Sequence, residues 1–244
     1  MRYDSMKIKR FIIIASTILF FTIVWFMQNS NWHDLSLHLT MHKVILVMNQ
    51  STTGYSSIQA YALFYTIPFM IFFNHFFLPE SMMNIIRGTD RERLYLRRLT
   101  KIFVAASIFS SVHTGVNLIF TSIFFDYSLL KEVNFIPIGL FNTFGIFLFY
   151  TSVGLMYELI KDISNSIGVS FFLTIFLIGS LFFFEKLIMN QTWGPLKDLV
   201  IYTKMLEKKW TVADLLITYF RQLLIVVFFY LIGSFVYKRK DFIQ

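Results

Sequence analysis

Cysteine is absent from the 244 residues, which excludes disulfides, a thiolate nucleophile and any cysteine-ligated metal. Charge is also scarce. Only 15% of residues are Asp, Glu, Lys or Arg, where a soluble domain carries roughly a quarter. No glycine is followed by lysine, so there is no Walker A loop to cradle phosphates and no ATP-hydrolysing site of that type. The sequence also lacks His-Glu-x-x-His, Gly-x-Ser-Gly and adjacent glutamates. These absences leave an intramembrane protease without its paired catalytic groups. Nothing points to an enzyme or to nucleic-acid binding.

What is present is apolar. Hydrophobic residues make up 56% of the chain, 31 of them phenylalanine, and the mean hydropathy is +0.63. Runs of span length recur, each long enough to cross ~30 Å of hydrocarbon at ~1.5 Å per residue. The pattern predicts an all-α polytopic membrane protein, one transmembrane domain over 1–244 with six helices near 11–27, 59–78, 102–125, 135–159, 167–188 and 215–237. Pro68 falls inside the second as an expected kink. Pro137 falls in the first turn of the fourth, where a missing N–H costs nothing. Trp25 and Phe26 stand where a signal peptide would need small residues, so the first run reads as a retained span.

Orientation follows from basic residues in the connections. With the N-terminus cytoplasmic, the inner segments carry Arg2, Lys7, Lys9, Arg10, six residues from Arg87 to Lys101, Lys161, Lys238, Arg239 and Lys240. The outer segments carry Lys43, Lys131, Lys186, Lys197, Lys204, Lys208 and Lys209. This excess places both termini inside. Trp25, Trp32, Trp193 and Trp210 then fall at or beyond the outer ends, as an interfacial belt requires.

Between the second and third spans, Arg87, Arg91, Arg93, Arg97, Arg98 and Lys101 crowd into 15 residues with Asp90 and Glu92. On a helix the basic side chains sweep one arc and Tyr95, Leu96 and Leu99 the other. A positive-inside anchor meeting anionic lipid would account for the charge alone. A docking helix accounts for the amphipathicity as well, with arginine forks pairing carboxylates on a soluble partner and Tyr95 filling an apolar pocket. The segment 193–210, opening on Trp-Gly-Pro, reads as an amphipathic helix in the outer interface.

Six spans, the charged stretch NIIRGTDRERLYLRRLTKIF over 84–103, the outer amphipathic segment and the basic tail YKRKDFI over 237–243 together resemble the ABC-2 type permeases of bacterial ABC exporters. The likeness is greatest to those beside peptide or bacteriocin export and immunity systems. The resemblance implies a type V exporter-like architecture in the bacterial plasma membrane. It implies that Arg87, Arg91, Arg93, Tyr95, Arg97 and Arg98 form a coupling helix docking on a separate ATPase subunit, which binds the ATP and Mg. It also implies a second permease subunit, as homo- or heterodimer, and a hydrophobic or amphipathic peptide as cargo, with lipid or a small toxic compound as other options.

Within the spans, Ser107, Ser111 and Gly115 repeat once per turn, a stripe that permits close helix approach. His113 and Asn117 on the same helix, with Asn74, His75, Asn142, Arg221 and Gln222 elsewhere, are polar groups at membrane depth. The stripe with His113 and Asn117 is expected to border the packing face or the translocation path. Glu185 is the expected partner of Arg221. His38 and His42 share a face, with His33 nearby, but no third ligand is fixed by spacing and no metal is placed there. A stand-alone immunity protein would use the same spans. A secondary transporter would need midplane carboxylates, and Glu158 and Glu185 both lie near span ends.

Overall fold

A computed structural model describes residues 2–29, 40–50, 54–77, 91–189 and 192–239, with side chains 2–6 and 50 left aside. Among the described residues there is no strand. The helices are α1 (Arg2–Asn29), α2 (Met41–Gln50), α3 (Thr66–Phe76), α4 (Arg91–Phe124), α5 (Tyr127–Glu132), α6 (Phe135–Ser164), α7 (Ile167–Leu187), α8 (Ile201–Leu206) and α9 (Val212–Arg239). Five of them, α1, α4, α6, α7 and α9, are long and apolar enough to cross a membrane. The chain is thus an all-α protein of multi-pass membrane character.

The predicted second span takes a different form. A π-helical turn, Ala60–Phe64, ends at Tyr65, and α3 follows at Thr66. Together they make a 17-residue apolar segment, shorter than the five long helices. Pro68 has no N–H to offer the carbonyl four residues back, and the break falls three residues before it. The wide turn closes through Tyr65 N–H to Ala60 O at 2.8 Å. The Tyr61 carbonyl is met by two hydroxyls, Thr66 Oγ1 at 3.1 Å and Tyr150 Oη at 3.2 Å.

The charged stretch also differs from its expected form. Its described part is no separate element but the first turns of α4, a single 34-residue helix. At ~1.5 Å per residue α4 is ~51 Å long, well beyond a ~30 Å hydrocarbon layer, so its charged end projects past it.

Helix α6 is the central post. Of its apolar window 67% is buried, against 17% for α1 and 22% for α7 and α9. It packs against α4, α7 and α9, while α1 packs against α4 and α3 against both α4 and α6. Close approach is possible because α6 carries glycines at the contacts. A Cβ on Gly154 would stand 2.6 Å from Ile102 of α4, and one on Gly139 would stand 2.9 Å from Leu118. The turns on either side of α6 are short. Asn134 and Asn165, both left-handed, flank it, a conformation asparagine tolerates better than most residues. Ser166 Oγ accepts the Val169 N–H to cap α7.

The segment after α7 does not lie as one amphipathic helix on a surface. It forms a 3-10 turn, Pro195–Leu199, then α8, and ends at Lys208 in the left-handed region. Leu196, Leu199, Ile201, Tyr202 and Leu206 are all buried, and α8 packs against α6 and α2. The segment is built into the bundle.

Candidate functional site

At the end of the bundle that carries the α4 arginines, α4, α6 and α9 are locked by charge and stacking. Arg98 Nη1 donates to both Asp162 oxygens, at 3.1 and 3.0 Å, and lies 3.4 Å from Glu158 Oε2. Lys161 Nζ holds the other Glu158 oxygen at 2.9 Å. The Arg98 guanidinium sits 4.4 Å over the Tyr237 ring of α9. Beside it the Tyr95 ring packs between Tyr230 and Tyr237, with centroids at 5.5 and 5.7 Å. Gly233 leaves the space into which the Tyr95 hydroxyl reaches. Further out, Arg91 Nη1 donates to the Lys238 carbonyl at 2.5 Å, and Lys238 Nζ lies 3.5 Å from Glu92.

This geometry divides the expected docking residues. Tyr95 is 5% exposed and packs within its own chain, so it does not offer itself to a partner's pocket. Arg98 is also turned inward. The buried arc of the helix runs through Leu94, Tyr95, Arg98 and Ile102, and the outward arc through Arg93, Leu96 and Arg97. Helical periodicity alone sets Leu96 with the apolar side. The acids Glu158 and Asp162, one turn apart on α6, pull Arg98 to the inner face. Arg87 lies outside the described residues. What projects is Arg93 and Arg97 with exposed Leu96, carried on the first turns of a long apolar helix.

At the opposite end, Arg221 does not pair with Glu185. Its Nε and Nη2 donate to the two oxygens of Asp198, at 3.1 and 2.5 Å, and its Nη2 lies 3.2 Å from Thr218 Oγ1. Trp193 Nε1 also donates to Asp198, at 3.2 Å to each oxygen, and its ring lies 5.4 Å from the guanidinium. Burial raises the Asp198 pKa from the ordinary carboxylate value, against the pull of the Arg221 and Trp193 bonds. Glu185 instead accepts the Leu196 N–H at 3.0 Å, satisfying the start of the 3-10 turn. Gly194 lies so close to the Glu185 carboxylate that no side chain fits there. Asp198 is not marked by span depth, because it sits in the connecting segment between two spans. The signal available was its place three residues after Gly-Pro, where a 3-10 turn buries it.

The polar groups on α4 fall on two faces. His113 and Asn117 are buried. His113 stacks on Tyr55 with centroids 4.4 Å apart. Asn117 accepts from Trp25 Nε1 at 3.1 Å and donates to Asn49 at 2.8 Å. Trp25 is therefore a core anchor, not part of an interfacial belt. Asn142 donates to Tyr61 Oη at 2.9 Å. Ser107 and Ser111 are exposed and Gly115 half-buried, with open space where a Gly115 Cβ would sit. His113 and Asn117 thus hold this chain together, while Ser107, Ser111 and Gly115 form an uncovered face. His33, His38 and Trp32 lie outside the described residues, and among the described residues no group of three His, Cys, Asp or Glu could hold a metal.

No family model, curated protein or solved structure matches the chain.

Proposed function

We propose that the chain is the membrane-spanning permease subunit of an ATP-driven exporter in a bacterial plasma membrane, worked by a separate ATPase. The observation that carries this reading is α4. One 34-residue helix runs from an exposed Arg93–Leu96–Arg97 face through the apolar bundle. Just inside that face it is keyed to α6 through Arg98 and to α9 through Tyr95. A push on the projecting turns would move α4, the end of α6 and the end of α9 as one body. ATP-driven closure of a partner can in this way shift a two-state equilibrium between inward- and outward-open forms.

In this reading the 17-residue segment through α3 is the sixth span, about 26 Å at ~1.5 Å per residue, and both termini are cytoplasmic. The Ser107–Ser111–Gly115 face receives a second permease copy, because small residues permit close helix contact. The cargo is a hydrophobic or amphipathic peptide.

The test is to read the neighbouring frame for a Walker-A ATPase and to co-purify that ATPase with the chain. An Arg93→Glu, Arg97→Glu double variant is expected to reach the membrane folded and to lose the ATPase. Unchanged complex formation overturns the docking assignment. Protection against a peptide toxin that persists without any ATPase would favour a stand-alone immunity protein.

A further inference from the structure

A cavity of about 460 Å³ opens where α6 begins, at the end of the bundle opposite the Arg98 lock. That volume falls within the ~300–1,000 Å³ of small-molecule sites. Glu132 of α5 and Lys208 after α8 both line it, with His42 of α2, Trp210 and an apolar wall that includes Phe141. Glu132 and Lys208 are exposed. Among the described residues no hydrogen bond or ion pair engages either side chain, so the two opposite charges do not meet each other. The His42 ring and the Trp210 indole N–H are likewise unengaged. The backbone adds a second observation. Lys208 has φ at 55°, and Asn134, which also lines the cavity, has φ at 53°. Asparagine tolerates this region, but lysine carries the ordinary penalty of an L side chain there. Glycine would cap α8 without it. Strained backbone of this kind clusters at ligand clamps, which points to a use for the Lys208 ammonium.

Charge selects the class of ligand. With no partner to hold them, the Glu132 and Lys208 side chains are free to turn over the cavity between their staggered rotamers. A cation would meet Glu132 but bring a like charge up to Lys208, and an anion would do the reverse. A neutral apolar molecule would strip water from both charges and return nothing. A zwitterion meets both at once, its ammonium on Glu132 and its acid group on Lys208. An apolar part then lies against Phe141 and the Trp210 ring, and the indole N–H is a second donor for the acid group.

We infer that this pocket binds a small zwitterion, a primary ammonium held by Glu132 and an acid group by Lys208. A dissolved apolar amino acid carries this pair of charges, and so does the ethanolamine phosphate head of a lipid. The inference goes beyond the exporter reading and rests on it only for placing the pocket at the outer face. The binding itself needs no ATPase.

The test uses the full chain in phosphatidylglycerol nanodiscs and the equilibrium binding of radiolabelled phenylalanine. Phenylalaninamide lacks the acid group and N-acetylphenylalanine lacks the ammonium. Each is expected to compete about tenfold more weakly than phenylalanine, as the loss of one charge-assisted contact predicts. Glu132→Gln should erase the preference over N-acetylphenylalanine, and Lys208→Gly the preference over phenylalaninamide. Lys208→Gly should at the same time melt higher than the native chain, since it relieves the left-handed backbone. Weaker binding in that variant is then not a folding defect. Competition by glycerophosphoethanolamine at or below the concentration of phenylalanine needed assigns the same two contacts to a lipid head. Equal competition by the three phenylalanine compounds, or unchanged binding in both variants, overturns the proposal. So does binding of neither phenylalanine nor glycerophosphoethanolamine. Failure to co-purify an ATPase with this binding intact would instead sink only the exporter reading.

Discussion

Arg98 and Asp162, 64 positions apart in sequence, form a two-pronged ion pair between α4 and α6, and the Tyr237 ring beneath the guanidinium brings in α9. Three helices are joined by one side chain. The side chains of Arg98 and Asp162 are 18% and 4% exposed, so most of the pair is shielded from screening. Breaking such a pair from one side strands the other charge, at a cost of about 3 kcal/mol. Arg98→Gln should lower the unfolding midpoint in detergent accordingly, and Asp162→Asn should lower it less, because Glu158 Oε2 still lies 3.4 Å from the guanidinium. The double variant Arg98→Met with Asp162→Leu should recover most of the loss, because replacing a buried pair with apolar groups is near neutral. Unfolding monitored by tryptophan fluorescence decides this.

The Arg221–Asp198 pairing makes a sharper comparison. A double-mutant cycle with Arg221→Gln and Asp198→Asn should give a coupling above about 1 kcal/mol, since the two residues share direct bonds. The same cycle with Glu185→Gln in place of Asp198→Asn should give a coupling within about 0.5 kcal/mol, as for sites without a shared partner. Glu185→Gln should still loosen the chain modestly, because the Leu196 N–H keeps an acceptor but loses a charged one. A large Glu185 coupling would mean that Arg221 has a partner other than the one found.

Gly233 exists where it does because the Tyr95 hydroxyl fills the space a side chain would need. Gly233→Ala should cost about 1–3 kcal/mol by overpacking. Tyr95→Phe removes the colliding hydroxyl, so Gly233→Ala in that background should cost measurably less. A cost unchanged by Tyr95→Phe would place the strain elsewhere.

Lys208 ends α8 with φ at 55°, and its N–H and that of Lys209 return to the Met205 and Lys204 carbonyls. This is a left-handed cap of the kind usually given to glycine. Lys208→Gly should stabilise by about 1 kcal/mol, the penalty an L side chain carries in that region. A rise in midpoint in the thermal unfolding curve checks it.

Much of the helical architecture was legible in the sequence. Runs of apolar residues long enough to span hydrocarbon located α1, α6, α7 and α9 to within a few residues at most ends, because span length depends on local composition. The break near Pro68 was legible as a kink, since proline removes a donor wherever it stands. Its form as a π turn was not, because that depended on Thr66 and Tyr150 being placed to satisfy the Tyr61 carbonyl. The partners of the charged groups were misread for one recurring reason. Glu185 and Arg221 were matched by depth along their spans, but a carboxylate in the connecting segment, Asp198, folds back within reach. Tyr95 and Arg98 were assigned to an outward surface by helical periodicity, which gives the angle between faces but not which face meets a neighbour.

From the residues alone came the solvent this chain belongs in, the absence of its own phosphate loop, and the extent of its apolar helices. These follow from composition and local pattern, which need no knowledge of neighbours. Tertiary structure alone decided that Arg98 and Tyr95 turn inward, that Arg221 holds Asp198, and that Glu132 and Lys208 line one pocket without pairing. Each depends on which helix comes to lie beside which, and on the few ångströms that separate a paired charge from a stranded one.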